Sequence, residues 1–361
     1  MDKIAGIWFR VQRTLFHVEE CLPPLTEAHR RLILVLEVVR VEEKVAAGWL
    51  QWLGRRRADR RALARAFVAK ACLNLPTTKM LIERLGVDRA LRQLCGWEQK
   101  RQVPSESTFS RAFAEFAHRG LLDAVHEARV KEYLGGKVVW HVARDATAIE
   151  AREKPQPKSQ VKPPKRRRGR PKKGEVRPPQ AKTRLARQCT QSAAEALTEL
   201  PRACDIGVKH NAKGQTYHWV GYKFHVDVGD GGVPLTAVTT SASLHDSQVA
   251  IPLTKLTAQR VQSWYDLMDS AYDAELIRRV SRELGHVPII ESIRRWGQLE
   301  PMEPDRARRY QQRTQAERFN SRLKDDCGGR FVRVRGHPKV HTHLMFGLLV
   351  ILAEALLALS V

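Results

Sequence analysis

Acidic side chains are scarce in this chain: 39 Asp and Glu stand against 63 Lys and Arg, a formal net charge of +24 over 361 residues. Such an imbalance works against a cationic partner and attracts polyanions, nucleic acid first among them. Cysteine is sparse as well. Cys21, Cys72, Cys95, Cys189, Cys204 and Cys327 form no CxxC pair and no zinc-ligand spacing. That excludes a zinc ribbon or a disulfide-stapled scaffold and leaves free thiols in a reducing cytosol. Long apolar runs are missing except at 344–361, where Glu354 and Ser360 interrupt one. A run this short with a carboxylate inside it is expected to be a buried helix covering a sheet, not a membrane span. Residues 1–16 interleave charges with apolar side chains, so no secretory signal is expected.

What is present begins with helices. Residues 28–53, 57–73 and 77–94 repeat their apolar positions at helical spacing and are punctuated by Gly54, Pro76 and Gly96. Residues 104–116 open on a capping sequence, Pro-Ser-Glu-Ser, and place Thr108 and Arg111 on the first turns of a further helix. A short helix with Ser, Thr and Arg near its start suits insertion into a DNA major groove, braced by the helix before it. An ordinary helical domain has the same pattern.

From residue 137 the periodicity changes. Residues 137–150 are rich in β-branched side chains and carry Asp145, and a second such run from Trp264 ends at Asp269. Both aspartates are expected at strand ends, where a carboxylate can leave the sheet. Between them, 217–228 and 233–240 flank Gly229, Gly231 and Gly232 and predict an antiparallel hairpin. Residues 246–257 predict a helix capped by Asp246 or Ser247, 274–284 a second helix, and 287–291 a further strand. Beyond these, Tyr310, Arg313, Glu317 and Lys324 are spaced to share one stripe of a single helix. At about 100° per residue, the last three fall within roughly 60° of Tyr310.

The spacing Tyr-x2-Arg-x3-Glu-x6-Lys resembles the signature of a class of bacterial insertion-sequence transposases of the DDE type. The phrases Gly-Tyr-Lys-Phe-His at 221–225, Thr-Ser-Ala-Ser-Leu-His-Asp-Ser-Gln at 240–248 and Asp-Ser-Ala-Tyr-Asp at 269–273 are similar to that family too. The resemblance implies an α/β fold, a ribonuclease H-like mixed sheet flanked by helices, over 136–361, preceded by an all-helical DNA-binding domain at 1–135. It implies that Asp145, Asp269 and Glu317 are the catalytic metal ligands, Asp145 shared between two Mg²⁺ ions and the others each completing one side, with Mn²⁺ able to substitute. Tyr310, Arg313 and Lys324 would grip phosphates near the cleaved end, and the region of Thr108 and Arg111 would read the terminal repeats. The implied partners are double-stranded DNA, as terminal inverted repeats and as target, and further copies of the chain, a dimer or higher in the synaptic complex. No membrane is implied, and the place is the cytoplasm, at the nucleoid. Only 48 residues separate Asp269 from Glu317 (317 − 269). That leaves little room for the β-rich insertion of family members that close the cut end as a hairpin, so the resemblance carries over to plain nicking and transfer.

The charge is concentrated. From 154 to 187 the chain has fourteen Lys or Arg and one acid, Glu175. This makes 153–187 a basic, Pro-rich insertion, too long and polar for an ordered loop. Within it Lys165, Arg166, Arg167, Arg168, Arg170, Lys172 and Lys173 place seven cations in nine residues. The core Gly169-Arg170-Pro171 resembles an AT-hook, in which an extended backbone lies along the narrow minor groove of A·T-rich DNA. A basic tether without sequence preference fits the composition as well. Both readings place it on DNA.

Overall fold

The computed structural model of the chain describes residues 5–45, 58–157, 182–210, 214–292 and 301–360. Its first part is helical: α1 (Ala5–Cys21), α2 (Glu27–Val39), α3 (Arg60–Cys72), α4 (Thr78–Val87), α5 (Arg89–Cys95), α6 (Glu106–Arg119) and α7 (Leu121–Leu134). The single helix expected over 77–94 is two. Asp88 interrupts it in an extended conformation and accepts a hydrogen bond from Leu91 N at 3.0 Å, which makes it the N-cap of α5. A short polar side chain that bonds the backbone locally competes with helix continuation.

The sheet then builds from β1 (Val138–Glu150), the short helices α8 (Arg184–Thr190) and α9 (Ala193–Thr198), β2 (Asp205–His210), β3 (Thr216–Gly229), β4 (Val233–Ser241), α10 (Ser247–Ala258), β5 (Gln262–Met268), α11 (Glu275–Glu283) and β6 (Val287–Ile290). The strand order is β2-β3-β1-β5-β6, with β4 also paired to β3. β1 runs antiparallel to β3 and parallel to β5, which is itself parallel to β6. This mixed sheet, flanked by helices and following a helical region, is the ribonuclease H-like arrangement. β2 is an element that the sequence reading did not find. It pairs with the first half of β3 and extends the sheet past the end of β1 as a two-stranded ribbon.

Three helices complete the chain: α12 (Pro304–Tyr310), α13 (Thr314–Asp325) and α14 (His337–Ala358). α14 is apolar on nearly all sides, the mark of a helix surrounded by protein, and it packs against α2, α3, α6, α7, α13 and β4. It is long and apolar enough to cross a membrane, yet Leu344, Leu348, Leu349, Leu352 and Leu356 are completely buried here. One apolar core therefore runs from the first helices through α14 to the sheet. The carboxylate of Glu354 also has a place in it. It accepts from Arg31 of α2 at 2.6 Å and from Arg322 of α13, and so joins the helical part to the helix that carries Glu317.

Candidate active site

Asp145 owes its direction to its neighbour. Successive side chains of a strand point to opposite faces, and Arg144 is fixed on the α10 face. Its guanidinium donates to both carboxylate oxygens of Asp227 at 2.7 Å and to Thr254 Oγ1 at 2.6 Å, completely out of solvent. A buried, bidentate pair of this kind is costly to break on one side, about 3–5 kcal/mol. The strand is thereby pinned, and Asp145 is turned towards α13.

The expectation that Asp145 ends its strand is corrected. β1 continues to Glu150, because β3 pairs with it as far as Glu150↔Gly221. Only the β5 edge is released: that ladder closes at Ala143↔Leu267, and Met268 is the last residue of β5. Continuing the same register by two places sets Asp145 opposite Asp269, since 267 − 143 and 269 − 145 are both 124. Neighbouring strands lie about 4.8 Å apart, so the ladder brings the end of β5 towards Asp145, and the charge of Asp269 acts on the Asp145 carboxyl. Asp269 does follow its strand directly. Its carboxylate accepts from Ala271 N at 3.0 Å and caps the tight turn after β5.

Asp145 accepts a hydrogen bond from Asn320 Nδ2 of α13 at 3.0 Å, and Arg313 Nη1 lies 4.0 Å from its other oxygen. Burial pushes its carboxyl up to about 6, and the charge of Asp269 adds to this, against the Ala146 N–H, Arg313 and Lys209. Asp269 is raised as well, by burial first and then by Asp246 and Glu291, with Arg313 opposing. Glu317 projects from the first turn of α13 and is half exposed; Arg313 Nη2 donates to it at 2.5 Å. Burial by itself would lower Arg313, but Tyr310, Asp145, Glu317 and Asp269 outweigh it and hold the guanidinium above its ordinary value. Two carboxylates thus lie within 4.0 Å of one cation, and the charge of Asp269 acts on it as well. Among the described residues, no three His, Cys, Asp or Glu side chains are grouped closely enough to hold a metal as they stand.

The helix stripe is also corrected. Tyr310 closes α12, Gln311–Arg313 is a 3-10 turn, and α13 begins at Thr314. The backbone stays in the right-handed helical region throughout, with φ/ψ of −59/−30 at Tyr310 and −56/−27 at Arg313. The break is therefore a tightening of one turn, and the Arg313–Glu317 pair survives it. Tyr310 Oη donates to Glu291 at 3.3 Å, and burial pushes the phenol up to about 12. The Arg313 guanidinium lies 5.8 Å from the centre of its ring. Lys324 is lowered by burial and by the nearby Arg330 and Lys209.

Lys209 was missed by sequence reasoning, because it rides on the unexpected strand β2. The ribbon reaches the site by way of Gly221, which pairs with both Glu150 of β1 and Asp205 of β2. At φ +152° an added Cβ there would stand 2.1 Å from Ile149 O. Only glycine fits that crossing. Asn320 was missed too, although it lies three residues after Glu317 and so on the same helical face.

Other carboxylates near the site are occupied elsewhere. Asp266 is buried, 3.1 Å from His286 Nδ1 and bonded to Ser281. Asp273 pairs with Arg278 at 2.9 Å, Asp325 with Arg330 at 2.5 Å, and Glu150 accepts from Tyr217. Asp246 stands at the start of α10 but caps nothing with its side chain; it accepts from Lys223 at 2.8 Å. His337 and His341 are bonded to Thr239, and His343 to the carbonyl of Gly328.

Away from the carboxylates, Thr108 is half-buried and Arg111 exposed at the start of α6, and Trp97 packs on Phe109 with ring centres 6.0 Å apart. Lys165, Arg166, Arg167, Arg168, Arg170, Lys172 and Lys173 lie outside the described residues.

Comparison with known proteins gives two matches. The family described as "Transposase DDE domain" matches residues 140–353, and the family described as "Transposase domain (DUF772)" matches residues 18–115. No curated protein and no solved structure matches the chain.

Proposed function

The chain belongs to the DDE transposases, and we propose that it binds the terminal inverted repeats of its own insertion sequence and catalyses strand cleavage and strand transfer there. Enzymes of this family transfer nucleotidyl groups and generally use divalent metal ions. The observation that supports the finer reading is the open end of the β1–β5 ladder, where the charge of Asp269 acts on Asp145 and Arg313 lies between Asp145 and Glu317.

The donor set fits a hard divalent cation: all oxygen, anionic, and mutually repulsive enough that Asp269 helps to raise Asp145. Asp145, Asp269 and Glu317 would hold Mg²⁺, or Mn²⁺ in its place, two ions per site. Bound there, the ions would activate the attacking oxygen and stabilise the leaving one. The uncatalysed reaction is slow enough to need acceleration towards the ~10^17-fold end of the enzymatic range. Asn320 orients the Asp145 carboxylate. Arg313 serves as the counter-ion that keeps the carboxylates together, and it has the planar fork that suits a phosphate. Lys324 and Lys209 add point charges where the DNA strand would run, and Tyr310 packs beside Arg313. Partners are the terminal repeats, target DNA and at least one further copy of the chain, and the place of action is the cytoplasm, at the nucleoid.

Asp145→Ala, Asp269→Ala and Glu317→Ala should each abolish Mg²⁺-dependent cleavage of a terminal-repeat duplex and leave gel-shift binding of the same duplex nearly intact. Cleavage near the wild-type rate in any of the three removes that residue from the site. Joining of the cleaved end to a target plasmid separates a transposase from a nuclease that only cuts.

A further inference from the structure

Where the N-terminal helices meet the chain that leaves α13, there is a cavity of about 500 Å³. Its lining has five cations, Lys70, Arg152, Arg333, Arg335 and Lys339, and one acid, Glu106. Between 328 and 353 the sequence contains no Asp or Glu at all, so the segment that supplies three of those cations supplies no counter-charge. Among the described residues none of the five makes an ion pair or a side-chain hydrogen bond; Arg152, Arg333 and Arg335 are exposed, Lys70 and Lys339 half-buried. Lys70 of α3 is half-buried, and burial together with Arg333 brings it down to about 8.

Buried and half-buried charges are ordinarily paired, because desolvating an unpaired one is expensive. Lys70 and Lys339 are half-buried without a partner, and the exposed Arg152, Arg333 and Arg335 stand around the same hollow; together they describe a site completed by an anion. The rest of the lining narrows its chemistry. Phe67, Phe113 and Phe346, buried in the core, form its floor, and the exposed Phe331 borders it as well; an accessible aromatic ring beside cations is the combination that holds a base and its phosphates. The volume lies within the ~300–1,000 Å³ of small-molecule sites, well beyond the need of a single phosphate. It equals a cube about 8 Å on a side, whereas the major groove alone of duplex DNA is ~12 Å wide. A double helix does not enter.

We propose that this cavity binds one nucleotide, its phosphates held by Lys70, Arg333 and Arg335 and its base set against the exposed ring of Phe331. The nucleotide is either free or the unpaired end of a DNA strand; the recognising chemistry is the same. Glu106 and Ser110 of the lining belong to α6, and Cys327 and Gly328 lie two and three residues past the end of α13. An occupant would therefore tie the helix that carries Arg111 to the helix that carries Glu317. The site is independent of the catalytic carboxylates, so its failure and theirs are separable.

The test uses the full chain and four probes: ADP, inorganic pyrophosphate, a blunt duplex, and the same duplex with one unpaired 3′ adenosine. ADP should bind by calorimetry more tightly than pyrophosphate. Arg333→Gln with Arg335→Gln should weaken it at least tenfold, and Lys70→Met should weaken it independently. Removing two exposed cations of α11, Arg279→Gln with Arg282→Gln, should leave it unchanged. Melting temperatures near wild type show that the variants are folded. If excess ADP selectively displaces the duplex with the unpaired adenosine, the physiological occupant is a strand end; if it displaces neither duplex, the occupant is a free nucleotide. Absence of ADP binding at millimolar concentration overturns the proposal. So does pyrophosphate binding as tightly as ADP, or equal loss in the cavity and α11 variants.

Discussion

Arg144 and Asp145 are neighbours with opposite tasks, the one buried and paired for good, the other held in readiness. The cost of that readiness can be read as a pH dependence. Asp145 is raised from 3.8 to about 6 in the folded chain, so between these values the folded state binds more protons than the unfolded one. Stability should therefore fall as pH rises from about 4 to 6 and level off above, by the linkage of proton binding to folding. Asp145→Asn should flatten that fall in urea titrations of the metal-free protein, and an unchanged slope would assign the titration to another group. Because a metal-binding carboxylate must be deprotonated, Mg²⁺ should raise the melting temperature more at pH 7 than at pH 5.

At the scale of elements, α13 and the β2–β3 ribbon approach the carboxylates from two sides. Arg313→Ala and Lys324→Ala should each weaken the productive DNA complex by about 1 to 3 kcal/mol through lost charge-assisted contacts. Tyr310→Phe should cost less, because the ring packs and its hydroxyl donates only a long bond to Glu291. Cleavage that persists unchanged without both cations would make the helix structural. The ribbon depends on the glycine crossing. Gly221→Ala, with its Cβ driven into the Ile149 carbonyl, should destabilise the chain by about 3 kcal/mol or more, measured by urea denaturation; a loss under about 1 kcal/mol would mean that the strands part easily there.

For the whole molecule the governing quantity is charge. Seven of the 63 Lys and Arg lie within nine residues of the basic insertion. Deleting 165–173 should lower affinity for every DNA sequence and flatten the salt dependence of binding by ~0.9 per lost phosphate contact. An AT-hook adds a preference for A·T-rich duplex that Arg170→Ala should erase. An unchanged salt slope removes the segment from the interface, and a flattened slope without base preference leaves a tether. Glu354 acts at this scale as well, although its partners Arg31 and Arg322 are each about two-fifths exposed, and pairs so open to water contribute ~1 kcal/mol or less. Its role is to set how α2, α13 and α14 meet.

The sequence by itself determined the local and the periodic. β-branched runs, glycine punctuation and helical spacing gave β1, the β3–β4 hairpin, α10, α11 and β6, because these patterns are written in consecutive residues. The same patterns put Asp145 on the first strand, Asp269 just after the strand that pairs with it, and Glu317 on a helix with Arg313 one turn before it. What crosses between elements was decided only by the fold. The 124-residue register that brings the end of β5 alongside the middle of β1, next to Asp145, arises from how the two strands pair, and nothing local encodes it. β2 is short, half polar and carries Gly207, so it becomes a strand only because β3 offers it a free edge. Asp88 divides a helix that its neighbours' periodicity would continue, for it also stands 3.0 Å from His29 of α2, a contact made across 59 residues. The cationic cavity has the same origin. Lys70 and Arg333 are far apart in the chain, and only the packing of α3 and α6 against the segment that links α13 to α14 brings their like charges to one wall.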